Sequence, residues 1–336
     1  MSLPLVSFLT PSLKENFRMS ITAPPRDPLA QPPQARAKSP KRRQRKQKYS
    51  WKESLAFFLF VLPNLAVILI FSYWPTIYNA FFSLVEWDFV QPTMTWVGLQ
   101  NYVDLFTNPE FPKILANTLI FSLFTVVGTL VGGLGIGLLL AKKLRFSGMA
   151  RTLTFAPHMI PGAVVGILWL FMFDPNYGLS RWAFGLFGEA SPQWTSTSTW
   201  SLWAIIIAYS WQQIGFVAII YYTAIIDLPK PLYEAAAVDG AEGWKLFTNM
   251  TIPLLRPVTF FLLITGIIDS AQAFDIIATL TEGGPGDSST TLTWSIYEEA
   301  FHNFDIGSSA AQSMVLFLIL MALTAFQMRY VKRSVD

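Results

Sequence analysis

The stretch Glu234-Ala235-Ala236-Ala237-Val238-Asp239-Gly240, running on to Thr251-Ile252-Pro253-Leu254-Leu255-Arg256-Pro257, decides how this chain is read. It is a short polar interruption, about residues 229–253, between two long apolar runs. A plain turn needs only a few residues. Here Asp227, Pro229 and Pro231 end the preceding run and open a new helix, since proline suits a first helical turn. Tyr233 to Val238 supply about two turns, with Glu234 in the first, where the helix dipole favours an anion. Ala235, Ala236 and Ala237 leave a smooth surface that another protein can approach closely. Gly240, after Asp239, can take a positive φ and turn the chain. Phe247, Ile252 and Leu255 then give an apolar face around the re-entry at Pro253. An element that is rigid, exposed and anchored at both ends is suited to docking.

The rest of the chain is membrane-like. Of 336 residues, 52% are hydrophobic and only 13% charged, with a mean hydropathy of +0.42; a soluble protein carries about 25% charged residues. Apolar runs at about 55–82, 114–141, 153–173, 202–226, 254–280 and 309–331 reach the length that crosses a bilayer. They are too long for barrel strands and are read as six helices, kinked near Pro63, Pro75, Pro157 and Pro161. The expected architecture is an all-α membrane protein: a basic tail over 1–52 and a six-helix domain over 53–336. Twelve of the 24 Lys and Arg lie in residues 1–52. Pro24, Pro25, Pro28, Pro32 and Pro33, with few large apolar neighbours, make that tail a disordered cytoplasmic segment whose charge fixes topology; anionic lipid, rather than nucleic acid, is its natural counterpart. With no Cys, disulfides and thiolate metal sites are excluded, and with only His158 and His302 no His-rich metal site is expected.

Lys142, Lys143, Arg145 and Arg151 join the second and third helices, Lys230, Lys245 and Arg256 the fourth and fifth, and Arg329, Lys332 and Arg333 follow the sixth. The opposite loops hold Lys113 and Arg181 but several carboxylates. Both termini and the Glu234 loop are therefore expected on the cytoplasmic side. One six-helix unit without an internal repeat is small for a secondary transporter, which commonly needs paired halves.

Leu280-Thr281-Glu282-Gly283-Gly284-Pro285-Gly286 ends the fifth helix sharply on the outer side, and Ile296, Tyr297, Ala300 and Phe301 share a face of the helix beyond it. Together with Val97-Gly98-Leu99-Gln100-Asn101-Tyr102 and Phe106, and with Glu234 to Pro253, this pattern resembles the permeases of binding-protein-dependent ABC importers in their carbohydrate-uptake branch, the maltose and glycerol-3-phosphate type. The resemblance spans about residues 54–333. It implies the type I importer permease fold, with Glu234, Ala235, Ala236, Asp239, Gly240 and Pro253 in a cytoplasmic coupling helix. It also implies a second permease, an ABC ATPase dimer that binds ATP and Mg, and an extracytoplasmic solute-binding protein. The chain itself has no Gly-x-x-x-x-Gly-Lys-Ser/Thr phosphate loop, so no enzymatic activity and no cofactor is expected in it.

Polar groups inside membrane helices are candidates for the solute path. The fourth helix carries Tyr209, Gln212, Gln213 and Phe216; the fifth carries Asp269, Ser270 and Gln272, with Asp275 expected one turn further on the same face. In disaccharide-transporting relatives these stretches line the sugar cavity, but their Asn-rich positions here become Asp269, Ser270, Gln272 and Ala273. No Lys or Arg lies mid-span, which favours an oligosaccharide, glycoside or polyol over glycerol-3-phosphate or a phosphodiester. A stand-alone ion-coupled carrier using Asp269 and Asp275, and a membrane enzyme or scaffold, are the competing readings. The first needs no docking loop, and the second lacks a clustered catalytic set. His158, between Pro157 and Pro161, reads as structural or water-facing.

Overall fold

The structure, a computed structural model, describes residues 51–142 and 146–335 except 89 and 91. The basic tail to residue 50 and its expected disorder lie outside the described residues. The chain divides between Phe60 and Val61 into two units. The described part of the first is the opening of helix α1 (Trp51–Ile68), where Phe57 and Phe58 meet edge to face at 5.9 Å.

In the second unit a π-helical turn, Leu69–Tyr73, leads into α2 (Trp74–Phe82). The widened turn sits ahead of Pro75, which has no N–H to give the helix. A two-stranded hairpin follows, β1 (Val85–Glu86) against β2 (Thr95–Trp96), antiparallel with Val85 opposite Trp96. Then come α3 (Gln100–Thr107), α4 (Phe111–Ala141), α5 (Ser147–Phe155), α6 (Gly162–Phe173), α7 (Leu179–Gly185) and α8 (Ser201–Ile226). The Glu234 loop holds α9 (Lys230–Val238) and α10 (Gly243–Leu246). Last are α11 (Ile252–Ala271), α12 (Asp275–Leu280), α13 (Leu292–Phe301) and α14 (Ile306–Val335).

Among the described residues five helical stretches are long and apolar enough to cross a membrane: Phe57–Phe82, Phe111–Ala141, Ser201–Ile226, Gly243–Ala271 and Ile306–Arg329. The sixth expected span is broken. Ser147–Met159 and Gly162–Phe173 meet at 100°. Pro157 tightens the end of the first piece into a 3₁₀ turn, Ala156–Met159, and Pro161 starts the second in an extended conformation (ψ 140°). The fifth expected span, read as continuous over 254–280, is also interrupted. It ends as α11 at Ala271, and α12 restarts at Asp275.

The most extensive packing is between α4 and α8. Glycines make it close: a Cβ on Gly133 would lie 2.6 Å from Val217 Cγ1, and one on Gly137 would lie 2.9 Å from Tyr221 Cβ. Small residues let backbones approach where no hydrophobic force against lipid draws helices together. A core of Val165, Ile205, Ile277 and Trp294 joins α6, α8, α12 and α13. In the loop between α2 and α4, Asn101 donates from Nδ2 to the carbonyls of Ser83 and Val85, and the Tyr102 hydroxyl donates to Ser83 Oγ at 2.8 Å. Asn101 and Tyr102 thus act as a latch for that loop. Asn117 on α4 similarly holds the carbonyls of Asp287 and Thr290.

Candidate functional site

The docking loop comes first in sequence logic. Pro229 caps α9, which begins at Lys230, three residues earlier than expected. Glu234 therefore falls in the second turn, not the first, and the dipole argument for it lapses. Glu234, Ala235 and Asp239 are exposed and Ala236 is half-buried. Gly240 has φ +75°, with its N–H bonded to Ala237 O and the next N–H, of Ala241, bonded to Ala236 O at 2.9 Å. This is a Schellman closure, and it satisfies two carbonyls at the end of the helix. Val238 is 89% and Trp244 74% exposed, so large apolar groups flank the alanine face, with the Trp244 ring 5.2 Å from that of Phe247.

The far end is anchored. The Tyr233 and Thr251 hydroxyls lie 2.9 Å apart, and Leu255 is buried with Val217, Tyr221 and Leu262. A second π turn, Phe247–Thr251, precedes Pro253, repeating the device used before Pro75. Of the expected apolar face Leu255 is buried, Phe247 half-buried and Ile252 exposed.

The second cluster lies midway along α4 and α8 and in the second half of α11. Tyr209, Gln213, Phe216 and Asp269 surround one cavity of about 30 Å³, joined by Thr125, Thr129, Thr265 and Gly266. Tyr209, Gln212, Gln213, Gln272 and Asp275 border a second, of about 220 Å³, with Gly162 and Phe274. Tyr209 and Gln213 are shared between the two, and Gln213 Nε2 donates to the Tyr209 hydroxyl at 3.3 Å. Beside the first cavity the His158 ring stacks on Phe216 with centroids 4.8 Å apart.

Three expectations change here. Ser270 is buried with its hydroxyl donating to Ile267 O and borders neither cavity. Asp275 is not one helical turn beyond Gln272 on a shared face, because the helix stops between them. Its carboxylate instead faces the start of α6, where a Cβ on Gly162 would lie 3.2 Å from Oδ2. Gln212 has a structural task, donating from Nε2 to Ile160 O at 2.7 Å. That pairs a polar group at the broken span, where lipid could not. Gln212→Leu removes this bond and is expected to lower stability by about 1–3 kcal/mol, the cost of an orphaned buried acceptor. An unchanged melting temperature of the detergent-purified protein would count against it. Thr125, Thr129 and Thr265 were missed; the four-residue spacing of the first two was the available signal, since it puts them on one face of α4.

Residues 133–336 match the family described as binding-protein-dependent transport system inner membrane component. The chain is 36% identical over 279 residues to the sn-glycerol-3-phosphate transport system permease protein UgpA of Yersinia pestis bv. Antiqua (strain Antiqua), covering 83% of this chain and 94% of that one. It is 34% identical over 281 residues to the protein of the same name in Escherichia coli (strain UTI89 / UPEC), with the same coverage. Among solved structures it is similar in fold to a chain of a bacterial ABC transporter involved in the import of the acidic polysaccharide alginate, with a TM-score of 0.72 at 23% identity, over 84% of this chain and 96% of that chain.

Proposed function

The chain belongs to the family of binding-protein-dependent transport system inner membrane components, a permease and not an enzyme, and from that membership we propose that it carries a neutral, hydroxyl-rich solute through an ATP-driven importer. The observation that carries the solute class is the make-up of the two cavities. Tyr209, Gln213, Gln272, Asp269 and three threonines offer hydroxyl, amide and carboxylate groups, and among the described residues no Lys or Arg borders either cavity. Such groups pair with sugar or polyol hydroxyls, and Phe216 and Phe274 cover C–H faces. The names of the relatives favour a second reading, glycerol-3-phosphate, for which a cation would be needed from elsewhere.

Known ligand pockets span roughly 300–1,000 Å³, and neither cavity alone reaches that size. That shortfall supports a second permease completing the chamber. On the cytoplasmic side, Glu234, Ala235, Ala236, Asp239 and Gly240 form the knob that an ABC ATPase receives, with Pro253 fixing the re-entry. ATP and Mg belong to that ATPase, and an external binding protein delivers the solute.

Two tests separate these parts. The purified complex, titrated by calorimetry of its external binding protein against maltose and glycerol-3-phosphate, is expected to bind the neutral sugar class. Tight binding of glycerol-3-phosphate alone would reverse the solute assignment. For orientation, the absence of native Cys makes single-Cys variants clean. Glu189→Cys, at an exposed outer-loop position, is expected to react with an impermeant thiol reagent added to whole cells, and Val238→Cys to react only after lysis. The opposite pattern inverts the topology.

A further inference from the structure

We propose that Asp275 sets the charge preference of the solute path: its carboxylate makes the larger cavity accept solute hydroxyls and refuse anionic solutes. This rests on the path proposed for Tyr209, Gln213 and Gln272, which border that cavity together with Asp275. Two interrupted spans bring the residue there. The fifth stops at Ala271 and restarts at Asp275, and the third restarts at Gly162 after its 100° bend. The restarted pieces, α6 and α12, pack against each other, so both breaks meet at the cavity of about 220 Å³.

Gly162 gives the Asp275 side chain its room. A Cβ there would lie 2.8 Å from Asp275 Cβ and 3.2 Å from Oδ2, closer than a side chain could sit. Asp275 is exposed, and its carboxylate enters no hydrogen bond or ion pair among the described residues; its carbonyl holds the Thr279 hydroxyl at 2.9 Å. A carboxylate only accepts, and both oxygens are open to O–H donors, which suits a solute rich in hydroxyls. The same group repels a phosphate or carboxylate on the solute. Among the described residues no Lys or Arg at the cavity offsets that repulsion. Asp269, the other carboxylate of the path, borders the smaller cavity and not this one. The place of Asp275 matters as much as its charge. It faces the start of α6, a helix of 12 residues whose first turn carries a partial positive charge. Broken membrane helices direct such ends at anionic cargo. Here the chain's own carboxylate takes that position, and the break is turned from attracting anions to excluding them.

The test uses the detergent-purified complex of this permease with its partners. Gln213→Cys borders both cavities and serves as the reporter; because the chain has no native Cys, its mass gain reads that one thiol. Rates are measured with cationic trimethylammonioethyl and anionic sulfonatoethyl methanethiosulfonate. The cation-to-anion ratio is divided by that at Glu189→Cys, an exposed loop position. The expected ratio exceeds one, falls about tenfold or more in Asp275→Asn, and holds in Asp275→Glu. An unchanged ratio in Asp275→Asn, or an equal fall in Asp275→Glu, overturns the charge filter and leaves the path standing. No reaction at Gln213→Cys with either reagent overturns the path and the filter with it. Where Asp275→Asn does not assemble, the field is located with Asp275 in place. Gln272→Cys, beside the larger cavity, is then expected to prefer the cation more strongly than Thr265→Cys, beside the smaller one. The reverse order assigns the field to Asp269 and overturns the proposal.

Discussion

Gly215→Leu is expected to remove most of the assembled permease from the membrane. Gly215 lies on α8 directly against the backbone of α5: a Cβ there would run into the carbonyl oxygen of Thr154 and approach Thr154 C at 2.9 Å. The obstacle is backbone in a helix, which cannot rotate aside as a side-chain tip can. α5 is short, nine residues, and is held to α8 through few groups. Arg151 donates from Nη1 to the Tyr222 hydroxyl at 2.7 Å and lies 5.0 Å over the Tyr222 ring, and Gln212 reaches the break at Ile160. Moving α5 outward strains all of these at once. Overpacking costs about 1–3 kcal/mol where neighbours can shift, and the cost exceeds that range where they cannot, against a total stability of roughly 5–15 kcal/mol. Gly135→Ala is the control, because a Cβ there meets nothing within 4 Å. The check is the amount of full-length chain in washed membranes and the melting temperature of the solubilised protein. Wild-type values for Gly215→Leu would mean that α5 does not sit against α8 as described.

That contact was not legible in the sequence, and the reason is physical. A glycine in an apolar run reads the same whether it faces lipid, a cavity or a backbone. The six spans were legible because hydrophobic length is a composition property. The two interruptions were only half legible. Pro157 and Pro161 announced a kink, but nothing in the residues fixed its size at 100°. At Gln272–Phe274 no proline or glycine marks the stop, so helical spacing was carried through and put Asp275 on the wrong face. Tyr209, Gln213 and Asp269 stood out because polar groups in a span are costly, and the structure sets them with Phe216 around one cavity. The stacking of His158 on Phe216, 58 positions away in sequence, was not legible either, because a lone histidine beside two prolines carries no pattern.

The Glu234 loop was the most legible part, because local rules decide its helix: a proline start, an alanine face and a glycine closure. Its largest consequence is functional. Gly240→Val and Glu234→Lys are each expected to abolish or strongly reduce ATP-driven uptake while the external binding protein keeps its affinity, since that site is on another polypeptide. At Gly240 the cause is conformational, not steric. A Cβ would meet nothing within 4 Å, but φ +75° is a conformation that β-branched valine tolerates poorly, at a cost of about 1–3 kcal/mol. The Schellman bonds to Ala236 and Ala237 would open and α9 would lose its defined end. At Glu234 the cause is electrostatic: on the proposed docking, reversing an exposed charge at the centre of α9 turns attraction for a cation on the ATPase into repulsion. Association of the ATPase is expected to weaken about tenfold or more. Glu242→Lys, at the start of α10 and outside the alanine face, is expected to do less. The measurements are co-purification of the ATPase, its hydrolysis rate with and without loaded binding protein, and uptake into vesicles. Wild-type values for all three in both variants would remove the coupling role from this loop.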